Sequence, residues 1–299
     1  MSELWREAEH EPLEEQEWDE RRARVAIAAI VADAELAFDG ARWPWHPRDG
    51  DDDEDRSDLY LGGAGMVWAL HELGSTGWND AALAFVDRYR AAPPADEQSI
   101  ETSYHFGELG IALAAYRLTG DSGLADRVHE LVLADPASDL NEVMSGSPGS
   151  LLAAEAMLAW TGEPRWEEAW HAAEARVLAA RDPDGLWTQS FPGRTLRFLG
   201  PAHGYAGNIR ALANRGGDVE LADLSAYLLR EDGLANWMPT TEITPEQIRV
   251  QWCHGAPGIV STLGHLIDEE LAVAGGELAW RPGPLRKGAN LCHGTAGNG

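Results

Sequence analysis

A Gly-x-x-Gly element recurs six times in order along this chain, and it limits the possible folds more than any other feature. The copies lie at 62–65, 107–110, 146–149, 204–207, 255–258 and 294–297, with first glycines spaced by 45, 39, 58, 51 and 39 residues. One copy carries no information. Six copies, each ahead of or inside an apolar run of small residues, define an internal repeat. The runs that follow, such as Ile111-Ala112-Leu113-Ala114-Ala115-Tyr116 and Ser150-Leu151-Leu152-Ala153-Ala154, are apolar nearly all round, as a helix buried on every side should be. Between them lie more polar stretches at 17–38, 79–91 and 166–180, where apolar residues such as Val25, Ile27, Ile30, Val31 and Ala34 alternate with charges in an amphipathic pattern. Gly120, Pro136, Gly162 and Pro183 separate the elements.

The unit is therefore a polar helix followed by a buried one. A buried helix needs neighbours on both flanks, so such units are expected to close on themselves. The predicted fold class is all-α, an α/α toroid of helical hairpins in one domain spanning 1–299. The glycine turns would gather at one end of it. Two segments fall outside the scheme. The acidic run 49–58 (DGDDDEDRSD) lacks the glycine and terminal glutamate of a calcium loop and reads as a solvated loop. Residues 1–16 are expected to be poorly ordered.

Charge and composition exclude several functions. The net charge of −27 would repel nucleic acid and anionic membrane alike, so neither is expected as a partner. No stretch approaches the ~20 apolar residues of a membrane span, and the acidic start lacks the basic and apolar regions of a signal peptide. The expected location is cytoplasmic. Basic charge is almost entirely arginine; Lys287 is the one lysine.

The last three turns carry the chemistry. Histidine stands directly before the first glycine in each, as His203, His254 and His293, and two turns add a cysteine, as Trp252-Cys253-His254-Gly255 and Leu291-Cys292-His293-Gly294. These are the chain's two cysteines. A disulfide is arithmetically possible, but in a reducing compartment paired cysteines more often bind metal. Thiolate and imidazole are the donors zinc selects, and Cys253, Cys292 and His293 would leave a fourth tetrahedral position open, as catalytic sites do. The bland alternative is small buried cysteines and capping histidines. It suits one Cys-His pair better than two in the same repeat register. His203 and His254 are open between outer-shell and helix-capping roles.

These turns resemble those of the lanthionine synthetase C-like family, the lanthionine cyclases and their glutathione-using relatives. The stretches that carry the resemblance are Leu59-Tyr60-Leu61-Gly62-Gly63-Ala64-Gly65, Ala202-His203-Gly204-Tyr205-Ala206-Gly207, Trp252-Cys253-His254-Gly255-Ala256-Pro257-Gly258, and Gly283-Pro284-Leu285-Arg286-Lys287-Gly288 through Cys292-His293-Gly294-Thr295-Ala296-Gly297. The resemblance runs from about residue 58 to the last residue. It implies a seven-hairpin α/α toroid with zinc at one mouth, held by Cys253, Cys292 and His293. It further implies His203 as catalytic acid/base, Arg249 as an active-site arginine and Glu142 as an active-site carboxylate. An ordinary surface ion pair is the competing reading of Glu142 and Arg249. The family has seven turns and this chain six, which leads to the expectation of a seventh hairpin missing at the C-terminus.

The implied reaction is addition of a thiol, from a peptide cysteine or glutathione, to dehydroalanine or dehydrobutyrine in a peptide or protein, giving a thioether. Two rivals stand beside it. One is a non-catalytic, zinc-stabilised scaffold that binds peptides. The other is a carbohydrate-active toroid using the thirteen tryptophans as sugar platforms, which leaves the Cys-His pairs unexplained.

Overall fold

The structure, a computed structural model, describes residues 4–14, 17–45, 56–94, 100–191, 193–215, 219–242 and 247–299. Most of the acidic run (49–55), and residues 1–3, 15 and 16 of the N-terminus, lie outside the described residues. The chain divides into two compact units. One comprises Met1–Glu15, Pro136–Leu152 and His171–Gly299, the other Gln16–Asp135 and Ala153–Trp170.

The regular secondary structure of the second unit is helical among its described residues. It contains α1 (Glu20–Ala37), α2 (Gly63–Glu72), α3 (Asn79–Ala91), α4 (Glu108–Thr119) and α5 (Ser122–Ala134). Helix α4 packs against α2, α3 and α5, and its first eight residues are all buried. Helix α5 buries Leu124, Ala125, Val128, Leu131 and Val132, a single stripe with the spacing of an amphipathic helix. Gly120 ends α4 in the left-handed conformation, and the Asp121 carboxylate starts α5 by accepting from Leu124 N at 3.0 Å. The alternation of buried and half-exposed helices read from the sequence is thus present here. Helix α1 differs: it buries no residue, and Val25, Ile27 and Ile30 are exposed.

Helices α6 (Ser147–Thr161) and α7 (Arg165–Ala179) follow, and then α8 (Tyr205–Ala213), α9 (Ala256–Leu263) and α10 (Glu269–Trp280) of the first unit. Here two antiparallel hairpins interrupt the helical alternation: β1 (Gln189–Phe191) with β2 (Arg194–Leu196), and β3 (Leu228–Glu231) with β4 (Leu234–Trp237). Among the described residues no α-helix separates α8 from α9; a single 3-10 turn at Ser225–Tyr227 and the β3–β4 hairpin occupy that stretch, and β4 packs on α9 and α10. Asp232 and Gly233 both have positive φ, +49° and +78°, which is the two-residue loop that matches the twist of paired strands. All four β4 residues are buried.

Residues 4–14, expected from composition to be poorly ordered, are tied down within this unit. Leu4 is 1% exposed and His10 4% exposed. Glu11 N donates to Pro284 O at 2.8 Å, Arg286 N donates to Glu9 O at 3.0 Å, and the His10 Nδ1 lies 2.9 Å from Gly283 O. Partners about 270 residues away give local composition no means of signalling this order.

The repeated glycines have a common cause. At Gly65, Gly110, Gly207, Gly258 and Gly297 an added Cβ would fall 1.8 to 2.1 Å from the carbonyl oxygen of the residue six earlier. That atom is backbone and cannot swing aside, so the second position of these five turns admits no side chain. A second regularity lies four residues before the first glycine, where a polar side chain caps the turn. The Asp58 carboxylate accepts from Tyr60 N and Leu61 N, Ser103 Oγ from Phe106 N, the Glu142 carboxylate from Met144 N and Ser145 N, and Asn290 Oδ1 from His293 N. Two turns depart from it. The fourth position is Gly200 in one, where a Cβ would meet Cys253 O at 2.0 Å, and Gln251 in the other.

Candidate metal centre and active site

Cys253, Cys292 and His293 converge. One ligand atom from each lies within 4.8 Å of the other two, which suits a tetrahedral ion whose sulfur ligands stand about 3.8 Å apart. The two cysteines are not joined in a disulfide; Cys253 is buried and Cys292 half-buried. The two turns that carry them are joined through backbone, Cys253 N donating to Cys292 O at 2.9 Å. Asn298 Nδ2 adds a bond to Val250 O at 2.9 Å.

The Cys253 turn is fixed from a second side by Asn236, which is fully buried on β4. Its Nδ2 donates to Leu4 O at 2.8 Å and to Arg249 O at 3.1 Å, and its Oδ1 accepts from Ala256 N at 2.7 Å and Trp237 N at 2.9 Å. One amide thus holds both ends of the segment 249–256. Gly255 has φ +107° there, with space taken by Arg249 O at 2.2 Å from a would-be Cβ, so only glycine fits.

The donor set passes a chemical test for a soft cation. Without an ion, the Cys253 thiol is pushed well above the ordinary thiol range, first by its hydrogen bond to Cys292, then by burial and by the Cys292 charge; the Gln251 hydrogen bond and the Lys287 charge oppose this. Two adjacent sulfurs in a buried place cannot both ionise alone, and a divalent cation removes that conflict.

His203 and Glu142 form the second cluster. The His203 Nδ1–H donates to Glu142 Oε2 at 3.1 Å. Glu142 is 2% exposed and also caps its own turn through Met144 N at 3.0 Å and Ser145 N at 2.8 Å. Burial alone would lower the His203 pKa, but the Glu142 hydrogen bond and charge, with the Cys292 charge added, raise it above the usual histidine value. Since Glu142 takes the Nδ1 proton, Nε2 is left for an incoming group. His254 behaves oppositely: burial, then the charges of His203, Arg249, Lys287 and His293, lower its pKa to about 3, and it stays neutral. Its ring lies 6.4 Å from the His203 ring and 5.6 Å from that of Phe198.

Glu142 and Arg249 do not pair with each other. Glu142 is buried against His203, whereas Arg249 Nη1 donates to Ile248 O at 2.9 Å and lies 3.6 Å from Glu9 Oε1. Sequence reasoning missed Asn236, Gln251 and the contribution of Glu9. Only Gln251 left a trace, as one of two amides, with Asn290, that stand four residues before a glycine turn carrying a cysteine.

A family model described as lanthionine synthetase C-like protein matches residues 53–299. A curated relative, glutathione S-transferase LANCL1 of Danio rerio, is 43% identical over 56 residues, which is 16% of this chain and 14% of that protein. The chain therefore matches about a seventh of that relative's length. The solved structure of nisin cyclase superimposes with a TM-score of 0.58 at 17% identity, covering 93% of this chain and 80% of that one. That likeness shows the fold: the α/α toroid class expected from the repeated turns.

Proposed function

The chain belongs to the lanthionine synthetase C-like family, and from that premise we propose that it is a zinc-dependent enzyme that adds a thiol to dehydroalanine or dehydrobutyrine in a peptide or protein. The observation that carries this reading is the meeting of Cys253, Cys292 and His293 within ligand distance in the same unit as a histidine whose Nδ1 is engaged by a buried carboxylate. Its two cysteines, not joined in a disulfide, fit a reducing, cytoplasmic setting.

In this proposal Cys253, Cys292 and His293 hold zinc, which when bound would supply a Lewis acid that lowers the pKa of the substrate thiol. The chain's own residues do the rest. Glu142 fixes the His203 tautomer, and its hydrogen bond and charge favour the imidazolium against burial. After the sulfur attacks the β-carbon, Nε2–H of His203 delivers a proton to the α-carbon. Neutral His254 and the Phe198 ring flank that imidazole. Arg249, turned by Glu9, is the cation available to the developing enolate oxygen or to the substrate backbone.

The thiol donor is a peptide cysteine or glutathione; the likeness to nisin cyclase supports the first and that to the Danio rerio glutathione S-transferase the second. The test is direct. The purified chain, loaded with zinc, is given a dehydroalanine-containing peptide with an internal cysteine, and separately the same peptide without cysteine plus glutathione. A thioether of the expected mass in either arm, absent without metal, is the expected result. Zinc uptake with no adduct in either arm would leave the non-catalytic scaffold as the better reading.

A further inference from the structure

Five of the six glycine turns use the position four residues before the first glycine in one of two ways: as a cap for turn N–H groups, or, at Gly200, as empty space for Cys253 O. Gln251 does neither. Its backbone is locked by reciprocal bonds with His254, at 3.1 and 3.0 Å, and its side chain is buried. The amide Nε2 donates to Cys253 Sγ at 2.9 Å. The amide Oε1 accepts from Lys287 Nζ. The one lysine among 23 basic residues is thus placed at the far end of a two-bond relay that ends on a metal-ligating sulfur.

The polarity of that relay is set by the lysine. A carboxamide can turn its oxygen or its NH2 toward sulfur, and the two faces are nearly isosteric. An ammonium group has three donors and no acceptor, so the atom facing Lys287 must be the oxygen. The NH2 then faces Cys253 with a donor for the negative sulfur. Lys287 is itself held against the other ligand turn. Its turn closes with Thr295 N donating to Gly288 O at 3.0 Å and Leu285 N donating to Thr295 Oγ1 at 2.8 Å. In a chain of net charge −27, it also brings a positive charge to a centre that would carry two thiolates, and three when a substrate thiol arrives.

We propose that Lys287, acting through the Gln251 amide, is a positioning residue that aims a hydrogen-bond donor at Cys253 Sγ and so sets the affinity of the centre for zinc. This rests on the zinc reading of the site given above. Partners one shell out from a ligand typically contribute 10–100-fold in metal affinity, and two residues in one relay should act as a unit.

The experiment measures zinc affinity of the full chain by competition with a chromophoric chelator, for wild type, Lys287→Met, Lys287→Arg, Gln251→Leu and the double Lys287→Met/Gln251→Leu variant, with thermal unfolding of each zinc-free protein as a check on folding. We expect Lys287→Met and Gln251→Leu each to lose roughly 10–100-fold, the double variant to lose no more than the worse single, and Lys287→Arg, which keeps a donor-only cation, to recover most of the loss. Unfolding temperatures of the zinc-free proteins should hardly move for the surface lysine. Wild-type affinity in Lys287→Met, or fully additive losses in the double variant, would overturn the relay while leaving the zinc site standing. Failure of the wild type itself to take up zinc would overturn both.

Discussion

The turns at 62–65 and 107–110 belong to one unit, and those at 204–207, 255–258 and 294–297 to the other. Their backbones obey the same rule: the second glycine of each lies against a carbonyl six residues back. Their side chains do not. Before the first glycine the former carry Leu61 and Phe106, whereas the latter carry His203, His254 and His293. Asp58 and Ser103 cap their turns, while Gln251 gives up capping to reach a sulfur. The repeat is a structural device first. Chemistry has been added at positions that the backbone rule leaves free, and at the Cys253 turn, where Gln251 does not cap, bonds from Asn236 hold the turn.

Four measurements would break or sharpen this contrast. The largest effect is expected at the ligands. Cys253→Ala or Cys292→Ala should weaken zinc binding on the order of 10²–10³-fold, one ligand position being about a quarter of the 10–16 kcal/mol that such sites supply. Ser103→Ala should leave zinc affinity unchanged. Metal content after dialysis reads both, and stoichiometric zinc in the double cysteine variant would remove the site assignment.

Next comes His203→Asn, expected to lose roughly 10²–10⁴-fold in turnover while keeping its zinc. Loss of zinc along with turnover would make His203 a ligand.

The glycines should ignore the contrast altogether. Gly110→Ala and Gly258→Ala should each cost about 3 kcal/mol or more in denaturant unfolding, since both place a Cβ within 2 Å of backbone, at 1.9 and 1.8 Å. A cheap substitution in either unit would show that its turn can relax and that the common rule fails there.

The smallest effect is a displaced pH profile. His203 has a raised pKa in the folded chain, so its protonated form persists above the ordinary value near ~6.5, and the alkaline limb of turnover should fall above that value. The same linkage adds stability that is full below the unfolded pKa and is lost as pH rises through the folded one. Glu142→Gln removes the charge but leaves the burial, so the limb should move to lower pH. An unmoved limb would mean that another group donates the proton.

The glycine turns and the grouping of Cys253, Cys292 and His293 were legible in the sequence because each is imposed by something local. A Cβ has no room at the second glycine, and two Cys-His pairs in one register have few other uses. The pattern also concealed things. Expecting a polar helix in every unit obscured the Asp232-Gly233 signal for β3–β4, although two positive-φ residues between Leu228–Glu231 and Leu234–Trp237 mark a hairpin plainly. Asn236 could not be found in advance, since its partners Leu4, Arg249 and Ala256 come together only in the folded unit. The apolar residues of α1 read as one face of an amphipathic helix, yet Val25, Ile27 and Ile30 remain exposed among the described residues. Periodicity reports that a face exists, and packing decides whether anything covers it.

The backbone bond from Cys253 N to Cys292 O has a consequence for how quickly the centre can be emptied and refilled. Bringing together two points 39 residues apart costs about 3 kcal/mol in chain entropy. Here that loop is closed by peptide groups, so an ion bound there would meet ligands already gathered. Capture becomes a simple encounter, with no slow search for the second cysteine, and chelation should leave the empty cradle in shape, ready to refill at a rate set by zinc supply.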